Sequence, residues 1–201
     1  MTSDNKLKVT FYGGAGTVTG ANFLVENSNI KFLLDCGLSQ GEQVGTRTNW
    51  SPFPYDPKEI DFLFISHSHL DHIGLIPRLV REGFRGKIYS TPPTKDISEV
   101  MLVDSLGLLE KEAKKEGKPI LYSEEDVDMA IKLWETAPYR ETFDISDKIK
   151  ITFRDSGHVL GSAMIEIEHN SKRLLYTGDM GNSPSSLLND TEAITAAYSL
   201  M

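Results

Sequence analysis

The sequence predicts an α/β chain, with sheets covered by helices. Two observations carry this. Short apolar runs of strand length recur between segments of helical spacing. A histidine-rich string also follows one such run directly, at the strand end where α/β folds collect their functional groups.

Taken in order, residues 7–12 are apolar and β-branched enough for a strand, which Gly13-Gly14-Ala15-Gly16 ends. Residues 23–26 and 30–35 flank Asn27-Ser28-Asn29 and form a hairpin. Residues 62–66 are a continuous apolar run suited to a buried strand. Residues 73–82 carry Ile73, Ile76, Leu79 and Val80 at helical spacing, and Lys87–Ser90 is a short strand. Residues 96–116 form a helix whose inner stripe is expected to be Ile97, Val100, Met101 and Leu108. The next helix starts at a Ser123 cap with Asp126 three residues on, and Tyr122 staples to Val127; its stripe is Val127, Ala130, Ile131 and Trp134. Residues 150–153, 164–167 and 173–176 are three further strands, the last two joined by a turn at Asn170-Ser171. The closing run, 193–201, is apolar rather than a polar tail.

With 201 residues, the chain is long enough for one sizeable core. It has 39% hydrophobic and 25% charged residues, which is globular composition rather than disorder. No apolar run approaches the roughly 20 residues of a membrane span. The start, Met1-Thr2-Ser3-Asp4-Asn5-Lys6, lacks the apolar core of a signal peptide. The single cysteine, Cys36, excludes an internal disulfide and fits a reducing compartment, so a cytoplasmic protein is expected. A net charge of −8 argues against a general nucleic-acid binder. It does not exclude a nuclease, because bound metal supplies positive charge where phosphate must sit.

The chemistry concentrates in Ser66-His67-Ser68-His69-Leu70-Asp71-His72, where three of the chain's 5 histidines fall within six positions. In a tight turn, His67 and His69 point to one side, while Asp71 and His72 face a second position. Neutral imidazoles and carboxylates are the donors catalytic zinc accepts. Gly157-His158 and Gly178-Asp179 repeat one arrangement: a strand, then a ligand-type residue beside glycine. Asp35, closing its strand, either orients a metal-held imidazole or opens the turn before Gly37. Cys36 reads as small, buried and inert, and His169, beside its hairpin turn, as solvated. The glycines at 13–16 lack the Walker lysine and read as a turn. Lys111, Lys114, Lys115 and Lys118 interleave with glutamates and read as a wet helix face.

The string His67-Ser68-His69-Leu70-Asp71-His72 resembles the hallmark of the metallo-β-lactamase superfamily. The fold this resemblance implies is an αββα sandwich with its site at one sheet edge. Residues 13–20 with Leu34-Asp35-Cys36-Gly37, Gly157-His158-Val159-Leu160-Gly161-Ser162-Ala163 and Tyr176-Thr177-Gly178-Asp179-Met180-Gly181 are similar to the β-CASP branch of RNA-processing nucleases. Residues 96–139 resemble that branch's helical segment.

The resemblance implies two Zn2+ ions. His67, His69 and His158 would hold the first, Asp71 and His72 the second, and Asp179 would bridge them, with Asp35 in support. The catalytic residues implied are Asp71, His72, Asp179 and Asp35. It further implies a zinc-dependent hydrolase of the RNA-cleaving type, with RNA as partner, no membrane and a homodimer as a possible assembly. In that family a β-CASP insertion and the C-terminal completion of the fold follow the Asp179 motif. Residues 1–201 are therefore expected to be an N-terminal portion, cut before that domain, with a weak second zinc site and low activity alone. Two rival readings remain: a hydrolase of thioesters, lactams or lactones using the same metals, and a non-catalytic metal-binding subunit or scaffold.

Overall fold

The computed structural model describes residues 6–40, 49–195 and 198–200. The remaining residues, among them most of the polar start and part of the closing apolar run, lie outside the described residues.

Strands β1 (Lys8–Gly13), β2 (Asn22–Glu26) and β3 (Lys31–Leu34) pair antiparallel. Strands β4 (Phe62–Phe64), β5 (Lys87–Ser90) and β6 (Trp134–Thr136) then extend the sheet in parallel, giving the order β1-β2-β3-β4-β5-β6. The crossovers between parallel strands carry the helices: α1 (Leu70–Ile73), α2 (Ile76–Arg81), α3 (Pro92–Glu116) and α4 (Glu124–Lys132). A second sheet, ordered β11-β10-β9-β8-β7, contains β7 (Thr142–Ser146), β8 (Ile149–Asp155), β9 (Ala163–His169), β10 (Lys172–Tyr176) and β11 (Tyr198–Leu200). Neighbours in it run antiparallel except β10 and β11.

Two cores follow from strand alternation. Leu24, Leu33, Leu63 and Ile65 face the helices and pack with Ile76, Leu79, Leu102 and Val127. Phe23, Val25, Phe32, Leu34 and Phe64 face the second sheet and pack with Ile151, Phe153, Ile165, Ile167 and Tyr176. The layers are thus helix, sheet, sheet. The outer face of the second sheet carries an ion-paired cluster, Arg154 and Arg173 on Glu166, at 2.8 and 3.3 Å.

Several expectations need correction. The helix over 73–82 is two short helices, interrupted at Gly74-Leu75. α3 begins at Pro92, and its buried face is Thr94, Ser98, Leu102, Ser105, Leu109 and Ala113; of the expected stripe of Ile97, Val100, Met101 and Leu108, Met101 alone packs, partly buried, against that core. Val100 and Leu108 are exposed. Small polar residues line the inner face, so counting apolar positions selects the wrong side. Trp134 lies in β6, beyond α4, although it is buried as expected and its indole donates to Ser90 Oγ. His169 is buried, not solvated: it is the last residue of β9, paired with Ile149 and Lys172.

Candidate metal centre

The C-terminal ends of the parallel strands set the site's position. β4 runs out into Ile65 and Ser66, and His67 follows, fully buried. His69 then stands just before α1 with extended backbone (φ −70°, ψ 146°), and its ring lies beside that of His67. Asp71 and His72 fall in the single turn of α1; a carboxylate there suits the positive end of the helix. His158 sits in the β8–β9 turn and Asp179 follows β10.

The structure brings all six of these sequence-predicted residues together. One donor atom each from His67, His69, His158 and Asp179 lie within 4.8 Å of one another. His67 Nε2 is 3.0 Å and His158 Nε2 3.4 Å from His69 Nδ1. Asp179 Oδ2 stands 3.8 Å from His67 Nε2 and 3.6 Å from His158 Nε2. The other oxygen of the same carboxylate, Oδ1, is 3.6 Å from His72 Nε2, which is 3.8 Å from Asp71 Oδ2. Asp179 therefore faces two donor groups, one with each oxygen. Glycine at 178 makes this approach possible: its φ is +50°, and a Cβ there would stand 2.7 Å from the Ser66 side chain.

Asp35 organises the inner wall. It is fully buried in the left-handed region (φ 57°), a conformation Asp tolerates better than most residues. Its Oδ1 accepts from Ser66 N (2.8 Å). Its Oδ2 accepts from Ser66 Oγ (2.6 Å), Tyr176 OH (2.6 Å) and His72 Nδ1 (2.7 Å). A proton on His72 Nδ1 leaves the Nε2 lone pair facing Asp71 and Asp179. Ser66 Oγ lies 3.1 Å from His67 Nδ1 and fixes that ring in the same sense. Ser66 and Tyr176 were read in the sequence only as parts of motifs, with no role assigned. Cys36, next to Asp35, is buried, and burial pushes its thiol well above the usual range, as an inert residue requires.

The His158 turn is held by a separate network. Ser162 Oγ accepts from the backbone N–H of His158 (3.0 Å) and Val159 (3.1 Å) and bonds Ser156 Oγ at 2.8 Å. The Gly161 carbonyl accepts from Thr91 Oγ1 (2.6 Å) and Thr94 Oγ1 (2.8 Å), which ties the turn to the start of α3. At Gly161 (φ +84°) a Cβ would stand 2.7 Å from Thr94 N, so only glycine fits.

The electrostatics favour a cation. Burial first, then the neighbouring His72, His69 and His158, holds the His67 imidazole far below its usual pKa, so it is neutral. Burial also lowers His158, with His69 and His72 adding to it against Asp179. At His72 burial acts downward but is outweighed by Asp35, Asp71 and Asp179, and the result is raised. The lowered His67 and His158 rings thus offer neutral imidazole nitrogens beside the Asp179 carboxylate. Four of the donor separations, 3.0–3.8 Å in a set that spans up to 4.8 Å, bracket the roughly 3.3 Å expected between donors about 2.0–2.1 Å from one tetrahedral ion. The donor set fits divalent metal.

Comparisons with known proteins agree with this geometry. The family described as metallo-beta-lactamase superfamily domain matches residues 24–200. The chain is 33% identical over 184 residues to ribonuclease TTHA0252 of Thermus thermophilus, covering 92% of this chain and 40% of that protein. It is 35% identical to transcription termination factor FttA of Methanocaldococcus jannaschii, over 92% of this chain and 29% of that one. It is also 35% identical to an RNase J-like protein of the same organism, over 89% and 37%. The chain thus spans well under half the length of these relatives. A solved structure of a protein of unknown function from Enterococcus faecalis shares the fold, with a TM-score of 0.57, 17% identity, and coverage of 87% of this chain and 44% of that one.

Proposed function

The chain belongs to the metallo-β-lactamase superfamily, with relatives of the β-CASP, RNA-processing branch, and on that premise we propose that it serves a metal-dependent ribonuclease. The observation that carries this reading is the Asp179 carboxylate, whose two oxygens face two separate donor groups at 3.6–3.8 Å.

His67, His69, His158 and Asp179 would hold one zinc ion, and Asp71, His72 and Asp179 a second. Bound there, the pair supplies Lewis acidity, which lowers the pKa of a shared water and offsets charge developing on a phosphodiester. The chain's own residues do the rest. Asp35 and Ser66 hold the His72 and His67 rings with their Nε2 lone pairs forward. The carboxyl groups of Asp71 and Asp179 line the mouth, a setting that gathers cations ahead of phosphate. Tyr176, whose hydroxyl is held far above its usual pKa by burial and then by Asp35, keeps its proton and stays a donor to Asp35.

RNA as substrate is favoured over a thioester, lactam or lactone because the relatives named above carry RNA-directed names. Among the described residues no helix is long and apolar enough to cross a membrane, and with one buried cysteine the cytoplasm is the compartment we assign. The test uses protein expressed from its complete reading frame and loaded with zinc, assayed on labelled single-stranded RNA, a thioester and a lactam. We expect RNA cleavage that disappears in His67→Ala. Hydrolysis of the thioester or lactam alone, or cleavage indifferent to His67, would contradict the proposal.

A further inference from the structure

A groove of about 450 Å³ adjoins the metal centre and shares His158 as one wall. Its other walls are Val159 and Leu160 from the His158 turn, and Ser185, Ser186, Leu187 and Leu188 from the segment after Asp179. We propose that this groove is a subsite for a nucleobase of the RNA strand, the base of the nucleotide next to the phosphodiester at the metal centre. The inference rests on the ribonuclease reading above.

Three observations support it. First, the groove's apolar walls lie open: Leu160 is 62% and Leu187 95% exposed. Both leucines border the donor set at His158 and leave apolar surface that a flat ring can cover. Second, the groove is preformed. The segment carrying Ser185–Leu188 is anchored at both ends against the His158 turn. Gly181 N donates to Ser156 O (2.9 Å), Thr191 Oγ1 to Ser156 O (2.8 Å) and Glu192 N to Asp155 O (2.9 Å). Asn189 Nδ2 reaches Asp155 Oδ2 at 3.0 Å. On the other side, Ser162 and the Thr91–Thr94 pair hold the turn. Third, the chemistry selects a base. None of the six side chains named above is charged, so a phosphate finds no cation to pair with there, whereas a flat apolar ring face gains contact. The two serine hydroxyls can donate to or accept from a base edge, which is how single-stranded RNA is read once its bases are splayed out. A phosphodiester seated against His158 carries a nucleoside on either side, so one base falls within a nucleotide's length of the groove.

The experiment measures binding, not turnover. Zinc-loaded protein from the complete reading frame is titrated into two fluorescein-labelled, phosphorothioate-linked oligomers: one of uridine, and one with the same backbone but no bases. Fluorescence anisotropy is expected to show about tenfold tighter binding of the uridine oligomer. Leu187→Ser, at a side chain with almost no contacts to lose, should remove that preference and leave both binding of the abasic oligomer and zinc content unchanged. Leu160→Ser should act in the same direction. Equal affinity for both oligomers in the wild-type protein would overturn the subsite alone. So would a Leu187→Ser effect shared by both oligomers, or a change in sedimentation that assigns the leucines to self-association. Failure to bind either oligomer, with zinc in place, would overturn the ribonuclease reading and the subsite with it.

Discussion

The two sides of the centre are built differently. His67 and His72 are 0% and 4% exposed, on an inner wall where Asp35 gathers Ser66, Tyr176 and His72. The side chains of His158 and Asp179 are 26% and 46% exposed, on turns held by hydroxyls and backbone rather than by buried charge. The inner wall couples metal binding to the stability of the whole domain. The outer turns couple it mainly to local geometry. Substitutions on the two sides should therefore separate stability from metal affinity.

The largest effect is expected at Asp35. Asp35→Ala leaves Ser66 N, Ser66 Oγ, Tyr176 OH and His72 Nδ1 without their acceptor in a dry environment. It should cost the metal-free protein about 3–5 kcal/mol in a urea titration. Asp35→Asn, which fills the same space, should cost about 2 kcal/mol. A metal-free midpoint unmoved by either variant would erase the contrast between the two sides.

Asp179→Asn should show the reverse. The side chain is half exposed, so metal-free stability should change by under about 0.5 kcal/mol. Zinc bound after dialysis should fall at both positions, while Asp128→Asn, on the wet face of α4, keeps its zinc. Loss of only one equivalent would mean that Asp179 serves one ion rather than two.

Between these extremes lies Ser162→Ala. It strips the acceptor from the His158 and Val159 N–H groups and should cost about 1–2 kcal/mol. Zinc affinity should weaken about tenfold, as for other supports of a metal ligand. Ser162→Thr keeps the hydroxyl and should recover most of the affinity, provided the added methyl is accommodated. Equal weakening in both variants would point to packing rather than the hydroxyl.

The smallest effect is a pH signature of the metal-free protein. His67 is held low, so the unfolded chain takes up its proton below about pH 6.5 while the folded chain does not, and stability falls with acid. His72 is raised, so its contribution is complete below about pH 6.5 and is lost as pH rises through its folded pKa. The opposed signs predict a stability maximum near neutrality. His67→Gln should flatten the acid side and His72→Gln the alkaline side. A single monotonic profile in the parent protein would contradict the opposed shifts of the two rings.

The sequence exposed these two sides unequally. The candidate ligands were legible because four of the six lie in one short string and the other two follow strands beside glycine. The support was not. Tyr176 and Asp35 are 141 residues apart and meet only through the packing of one sheet on the other. Ser162 was visible as a motif, but its hydroxyl's partners depend on the curl of the turn. In the fold, strands with continuous apolar runs stood out. β6 and β7 did not: β6 is three residues long with Glu135 and Thr136 exposed, and in β7 the alternation of Phe143 and Ile145 with Thr142 and Asp144 spans only five residues at a sheet edge. The inner face of α3 was misread because Thr94, Ser98 and Ser105 are buried where apolar residues were expected.

The most direct test of the central claim, one carboxylate shared by two cation sites, is a zinc-soaked crystal measured at the zinc absorption edge. Two anomalous peaks are predicted, one among His67, His69, His158 and Asp179 Oδ2, the other among Asp71, His72 and Asp179 Oδ1. A single peak that Asp179 does not touch, or no peak at these residues at saturating zinc, would contradict the account.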